Sequence, residues 1–377
     1  MALGTPIVVL LLARNERVTA VQEILDPPFM RNVGLLVTYH CQAACDHCVI
    51  RAGPNRHEEV DLEDARAWIR EIAAYRERYV CVLSLTGGEP FSNLKLLRSV
   101  MELAAEAGLF VSVVTNGFWG ASREGALNLL KSLPQICFLS ISTDIYHQKY
   151  VPFERVENAI WATREAGIPY YVSIVTDSED DPEFLRVKSE VLKTSKADNI
   201  RTGITFPVGR ASQIKSQLRY SLTDEPPKEA CQAASSPCVF PDGRVYGCIG
   251  PLIDLKDDHP LLLGSLRETP MKEILDRAET NAVLHALRLW GPKRLIMMLR
   301  EAGLGRHLPI EFITGSICNA CFSLMSNAAV RAWLRELEQD EEFRRKVAYG
   351  RLYYLHESGM LEVGGYTESD PALESVH

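Results

Sequence analysis

At 377 residues with a net charge of −8, 46% hydrophobic and 24% charged, the chain has an ordinary globular composition and enough length for a large α/β domain plus a smaller one. The acidic balance gives no global electrostatic case for nucleic acid or an anionic membrane, and no run reaches the ~20 apolar residues of a membrane helix. Ten cysteines, several of them clustered, point in a cytoplasmic protein to metal ligands rather than to a disulfide framework.

The chain opens on an N-terminal extension, residues 1–32, containing the apolar run Ile7–Leu12. That run lacks a basic flank and a small-residue cleavage site, so no secretory signal is expected. From 33 to 211, short apolar strands alternate with amphipathic helices. Strand patterns fall at Val33–Thr38, Val80–Leu85, Phe110–Val114, Ile136–Ile141, Tyr170–Val175 and Ile200–Phe206; helical ones fall near 62–78, 93–107, 122–132, 154–166 and 181–195. Such βα units predict a parallel sheet, and six in one run predict a partial (β/α)6 TIM-like barrel, although periodicity does not separate it from an open doubly wound sheet. In both architectures function gathers at the C-terminal ends of the strands.

Polar residues follow that rule. Cys41, Cys45 and Cys48 come after the first strand, Thr86-Gly87-Gly88-Glu89-Pro90 after the second and Thr115-Asn116-Gly117 after the third. Ser140, Ser142 and Asp144 end or follow the fourth strand, Ser173, Thr176 and Asp177 the fifth, and Pro207-Val208-Gly209-Arg210-Ala211 the sixth. Polar groups on one edge of six successive strands are hard to explain as packing.

Beyond 211 the alternation breaks. Residues 212–325 carry Cys231, Cys238, Cys248, Cys318 and Cys321, with a hairpin signal over Phe240–Tyr246. Helical patterns follow over Met271–Ala278, Asn281–Leu289 and Lys293–Ala302. In a C-terminal region of 326–377, one helix is expected from Ala328 to about Tyr354, then a polar tail. The basic clusters Lys293-Arg294 and Arg344-Arg345-Lys346 read as solvated helix faces, and Cys81 and Cys137, inside apolar runs, as core.

The spacing Cys41-x3-Cys45-x2-Cys48 puts three thiols on one loop. Zinc would need a fourth ligand, from His40, His47 or His57; a 4Fe–4S cube would take three and leave one iron open. Together with Gly87-Gly88-Glu89-Pro90 after the next strand, the motif resembles the radical S-adenosylmethionine superfamily over about residues 33–210. The resemblance implies the partial barrel, a 4Fe–4S cluster, and S-adenosylmethionine (AdoMet) chelated at the open iron and cleaved to a 5′-deoxyadenosyl radical. It implies that Glu89 and the Gly87-Gly88 backbone bind the methionine amino group, and that His47 stands where an aromatic residue commonly meets adenine. Ser140, Ser142 and Asp144 would reach the ribose and carboxylate, with Asn116 beside them. Arg210 resembles part of a sixth-strand cofactor-pocket motif, a structural salt bridge being its other reading. A flavodoxin or ferredoxin is the implied electron donor.

Cys231, Cys248 and the pair Cys318-x2-Cys321 resemble the superfamily's SPASM/twitch-type C-terminal extension in its shortened form, which implies one auxiliary 4Fe–4S cluster. A variant would use Cys231, Cys238 and Cys248 with one of the later pair, and four thiolates on zinc remains open. The surplus thiol, Cys238, is either simply buried or, if close to substrate, a hydrogen-atom donor to a product radical. Members with such an extension mostly act on peptides. The expected reaction is therefore modification of a ribosomally made peptide by crosslinking, epimerisation or oxidation. Radical dehydrogenation of a small molecule in a natural-product pathway is the runner-up, and a non-catalytic zinc-stabilised binding protein the third reading. The stretch before residue 33 is too short for a fused leader-recognition domain, so leader recognition is expected from a separate protein or from the barrel itself.

Overall fold

Six strands alternating with five helices build the first half of the computed structural model, which describes residues 29–77 and 79–357; Ile7–Leu12 and the polar tail lie outside them. In chain order these are β1 (Asn32–Thr38), α1 (Leu62–Ala74), β2 (Val82–Gly87), α2 (Leu94–Glu106), β3 (Phe110–Thr115), α3 (Arg123–Lys131), β4 (Ile136–Ser142), α4 (Phe153–Glu165), β5 (Tyr170–Thr176), α5 (Pro182–Thr194) and β6 (Ile200–Ile204). The strands pair in parallel in sequence order. All six expected strands are present, with small shifts at their ends.

Alternation along the strands decides which face is which. Leu35, Val37, Leu83, Leu85, Val111, Val113, Leu139, Ile141, Val172 and Ile174 pack into the main core with the helices. The alternate residues turn to the concave side, where a buried polar chain crosses three strands: Ser84 Oγ donates to Asn32 Oδ1 at 2.8 Å and lies 2.6 Å from Ser112 Oγ. The helices are cut by their caps. Asp61, Asn93, Ser122 and Asp181 each accept from a backbone N–H in the first turn that follows.

The sheet takes in strands on both sides of residue 211. After β7 (Leu222–Thr223) come β8 (Cys238–Val239), β9 (Arg244–Tyr246) and β10 (Leu262–Ser265). β8 pairs in parallel with β1, and β9 and β10 add on antiparallel, giving the order β10-β9-β8-β1-β2-β3-β4-β5-β6. The hairpin signal at Phe240–Tyr246 thus forms, and it covers the open edge of a strand whose seven residues are all buried.

The remainder is helical: α6 (Met271–Thr280), α7 (Ala282–Glu301), β11 (Phe312–Ile313, paired with β7), α8 (Ile317–Ser326), α9 (Ala328–Gln339) and α10 (Glu341–Leu355). Two expected segments merge in α7, kinked where Gly291 takes φ 69° before Pro292. The single helix expected from Ala328 is two, because Asp340 is extended and its side chain caps Phe343 N. This region has its own core, including Val283, Leu287, Leu295, Ile296, Leu324, Val330 and Phe343. A buried charge network joins it to the start of the sheet. Arg351 pairs with Glu279 and with Glu357 (2.6 Å), Arg288 pairs with Glu357 (2.5 Å), and both guanidinium groups lie over the Phe29 ring.

Candidate active site

The ends of β1 and β2 approach too closely for side chains. Gly88 N donates to Thr38 O (2.7 Å) and Glu89 N to His40 O (2.8 Å). A Cβ on Gly87, where φ is 151°, would lie 2.3 Å from Thr38 O, and one on Gly88 would lie 2.2 Å from His40 O. The two glycines therefore serve a contact with the cysteine loop, beyond the needs of a turn. Glu89 is fully buried. Its Oε1 accepts from Phe91 N (3.1 Å) and Thr115 Oγ1 (2.9 Å), and its Oε2 from Asn116 N (2.7 Å). Burial outweighs these donors and pushes its pKa up to about 7.

The loop itself is tied from several sides. Cys48 N donates to Cys45 O, and Cys41 N to Gly53 O. Ala43 N points at Cys41 Sγ (3.4 Å), Ala52 N at Cys48 Sγ (3.3 Å) and Asn116 Nδ2 at Cys41 Sγ (3.6 Å). Asn116 thus supports a cysteine while its Oδ1 takes the Gln42 amide (3.1 Å). Arg210 meets carbonyls rather than a carboxylate: its guanidinium donates to Cys45 O (2.6 Å) and Ala52 O (2.5 Å), and its backbone N to Cys48 O (3.0 Å). Burial pushes the Cys41 thiol up to about 12 and Cys45 further, so an empty loop holds thiols, and holding thiolates there calls for a metal. Amide N–H groups aimed at sulfur fit that state.

Beside the loop, Asp144 and His47, both expected at the cofactor pocket, meet His147, which sequence reasoning left unassigned. Asp144, fully buried, accepts from Tyr146 N and His147 N (both 2.9 Å), and its Oδ2 lies 2.8 Å from His147 Nδ1 and 3.7 Å from His47 Nε2. Burial would raise this carboxyl, but His147 first and His47 second hold it well below the usual carboxylate range. Burial lowers His47 to about 4, leaving it neutral, whereas the Asp144 charge overcomes burial to raise His147. The His47 ring stacks on Tyr146 (4.8 Å) and keeps a buried Nδ1 without a hydrogen-bond partner. His147 was legible as the third residue after an aspartate in a strand-end turn, a spacing that lets one carboxylate cap both backbone and ring. Of the other fourth-strand candidates, Ser142 is half-buried at the end of β4, while Ser140 is hydrogen-bonded to Tyr171.

The later cysteines separate into four and one. Cys231 lies near enough to Cys248, Cys318 and Cys321 to raise their pKa values, on top of burial, which takes Cys248 to about 12 and Cys318 to about 11. Cys318 and Cys321 ride the first turn of α8, which sequence reasoning missed although Ser316 is a good cap. A Cβ on Gly250 would lie 3.3 Å from Cys248 Sγ and 3.9 Å from Cys318 Sγ, so this glycine leaves the space between those sulfurs empty. Among the described residues, the one trio of ligand atoms within 4.8 Å of one another is His47, Asp144 and His147.

Cys238 stands apart, on β8, 1% exposed, with Gly34 of β1 making room for its sulfur. It faces a cavity of about 170 Å³ walled by Leu36, Val49, Ile50, Gly87, Ile249 and Ile253 among others. Val49 follows Cys48 and Ile249 follows Cys248, so this chamber lies between the two cysteine sets. A larger groove of about 1020 Å³, among Trp290, Trp333, Phe343 and Tyr353, has no cysteine in its lining. Cys81 and Cys137 sit half-buried in a small apolar cluster with Val82 and Phe138.

Residues 35–190 match the radical SAM superfamily, a class that works with a 4Fe–4S cluster and AdoMet. The chain is similar to YydG of Bacillus subtilis (strain 168), provisionally named a peptide biosynthesis protein: 25% identity over 308 residues, covering 80% of this chain and 93% of YydG. Among solved structures, it resembles polyhistidine-tagged anSMEcpe with bound AdoMet (15% identity, TM-score 0.47, 89% of this chain and 99% of that one). It also resembles BtrN in complex with AdoMet and 2-DOIA (12%, 0.38, 69% and 87%). Among the described residues, no helix is long and apolar enough to cross a membrane.

Proposed function

We propose that the chain is a peptide-modifying radical SAM enzyme that inverts a stereocentre, with Cys238 returning the hydrogen atom. The observation that carries this is the buried Cys238 thiol, outside both ligand sets and facing a chamber between them. Cys41, Cys45 and Cys48 would hold the 4Fe–4S cluster, and Cys231, Cys248, Cys318 and Cys321 one auxiliary cluster. When bound, cluster and AdoMet supply a 5′-deoxyadenosyl radical.

The chain's own residues have the remaining tasks. Glu89, Asn116 and Arg210 hold the loop, and Asp144, kept ionised by His147, presents an acceptor beside it. The chamber walls exclude water around a substrate carbon radical. Cys238 gives that carbon its hydrogen atom: the S–H bond breaks, a C–H bond forms, and a thiyl radical remains. One electron and one proton restore the thiol, the electron coming from a flavodoxin- or ferredoxin-class donor. The reaction is then redox-neutral in the peptide. The name of YydG supports a peptide as substrate class.

The test is Cys238→Ser in D2O, with a peptide encoded by a short reading frame beside the gene as substrate. Wild type should yield a singly deuterated epimer; the variant should still form 5′-deoxyadenosine but lose the epimer. Full product from the variant would falsify the hydrogen-donor role, and an oxidised product two mass units lighter would favour dehydrogenation.

A further inference from the structure

The chamber's two outer walls come from different cysteine sets, and one ion pair joins them. Val49 and Ile50 lead from Cys48 to Arg51; Ile249 and Ile253 lead from Cys248 to Asp254. Arg51 Nη1 meets Asp254 Oδ1 at 2.5 Å, with side chains 50% and 20% exposed, so the tie lies on the solvent side of walls that are themselves apolar. The other Asp254 oxygen accepts from Gly209 N (3.1 Å), at the end of the sixth βα unit. Gly209 has φ 62°, and a Cβ there would lie 2.3 Å from Val49 O. Asp254 therefore grips both the cysteine loop and the segment that braces it through Arg210.

Two further observations bear on movement. Arg51 takes φ 54°, a left-handed conformation that arginine rarely adopts, in the stretch that must shift if the walls part. Cys238 is 1% exposed at the bottom of a cavity of about 170 Å³, which has room for a side chain but none for the backbone on either side of it. A polypeptide reaches that thiol only when Val49–Ile50 and Ile249–Ile253 separate. An exposed ion pair is weak enough to yield to an incoming chain.

We infer that the Arg51–Asp254 pair is the latch of the chamber, holding its walls together at rest and releasing them to admit an extended polypeptide. The inference rests on the chamber being the substrate site, as proposed above.

The probe is N-ethylmaleimide on the reconstituted holoenzyme, with Cys238 labelling followed by peptide mass mapping. Arg51→Gln and Asp254→Asn should each label about three- to fivefold faster than wild type, the upper range open to an exposed pair. Asp254→Asn keeps an oxygen for Gly209 N, and Arg51→Lys, which keeps the charge, should stay within about twofold of wild type. Raising KCl to about 0.5 M should speed labelling of wild type but not of Arg51→Gln; this arm alone decides the matter if a variant misfolds. Equal rates in wild type and both charge-removing variants with no salt effect, or no labelling in any form, overturn the latch. Faster labelling together with a Cys238→Ser enzyme of unchanged product keeps the latch and discards the hydrogen-donor reading.

Discussion

Cys41, Cys45 and Cys48 occupy one loop, tied down by backbone bonds from the ends of β1 and β2 and by Arg210, whereas Cys231, Cys248, Cys318 and Cys321 arrive from three distant stretches and meet because a helical core packs them together. The first set is local and prearranged, so the loop can keep its shape without its metal. The second exists only as tertiary structure, and its four half-buried thiols have little besides a metal to satisfy them. Function should therefore depend most on the first set, and stability on the second.

Replacing Cys41, Cys45 and Cys48 together by Ala should abolish AdoMet cleavage and take reconstituted protein from about eight irons to about four, with little change in the melting temperature. A large fall in melting would break the contrast. Cys318→Ala/Cys321→Ala should also lose about four irons, yet destabilise the helical region by several kcal/mol, read as a lower first transition by calorimetry. Gly88→Ala puts a methyl against His40 O and should cost on the order of 2–4 kcal/mol in denaturant melts, locating the loop's rigidity in the β2 turn. Arg210→Gln should weaken iron retention about 10- to 100-fold while leaving the fold intact, measured by chelator challenge.

The smallest effect is a pH slope in the second region. Burial lowers His259 to about 4, and burial with Arg351 and Arg288 lowers His285 well below its usual value. Both folded values lie below the unfolded one, so stability is fully present above pH ~6.5 and lost as the pH falls from there toward 4. Melts at about pH 7.5 and about pH 5 should show this fall, and His259→Gln should flatten it.

The barrel was legible because its information is local. Parallel strands buried on both faces read as apolar runs, and the Cys41–Cys48 loop and Gly87–Glu89 carry their geometry in spacing. What escaped depends on contacts across the chain. The resemblance set Cys238 apart as surplus but left open a variant that used it; the pairing of β8 with β1 draws that thiol into the sheet. The strands beyond 211 join the same sheet through contacts of that kind. The break at Asp340 was readable, since an aspartate followed by two glutamates is a helix start, but the strong helical pattern on both sides masked it. His147 was readable too, three residues after Asp144, but only the folded turn shows its ring on that carboxylate.

The strand added beside β1 also bears on how such a protein could arise or be taken apart. A fragment ending near 211 would bare the edge of β1, a row of unpaired amides beside mostly apolar residues, which is the kind of surface that recruits strands from other molecules. The second cysteine region thus acts as a covalently attached chaperone for the first: expressed alone, the barrel should aggregate through its own leading strand, however well its catalytic loop is formed.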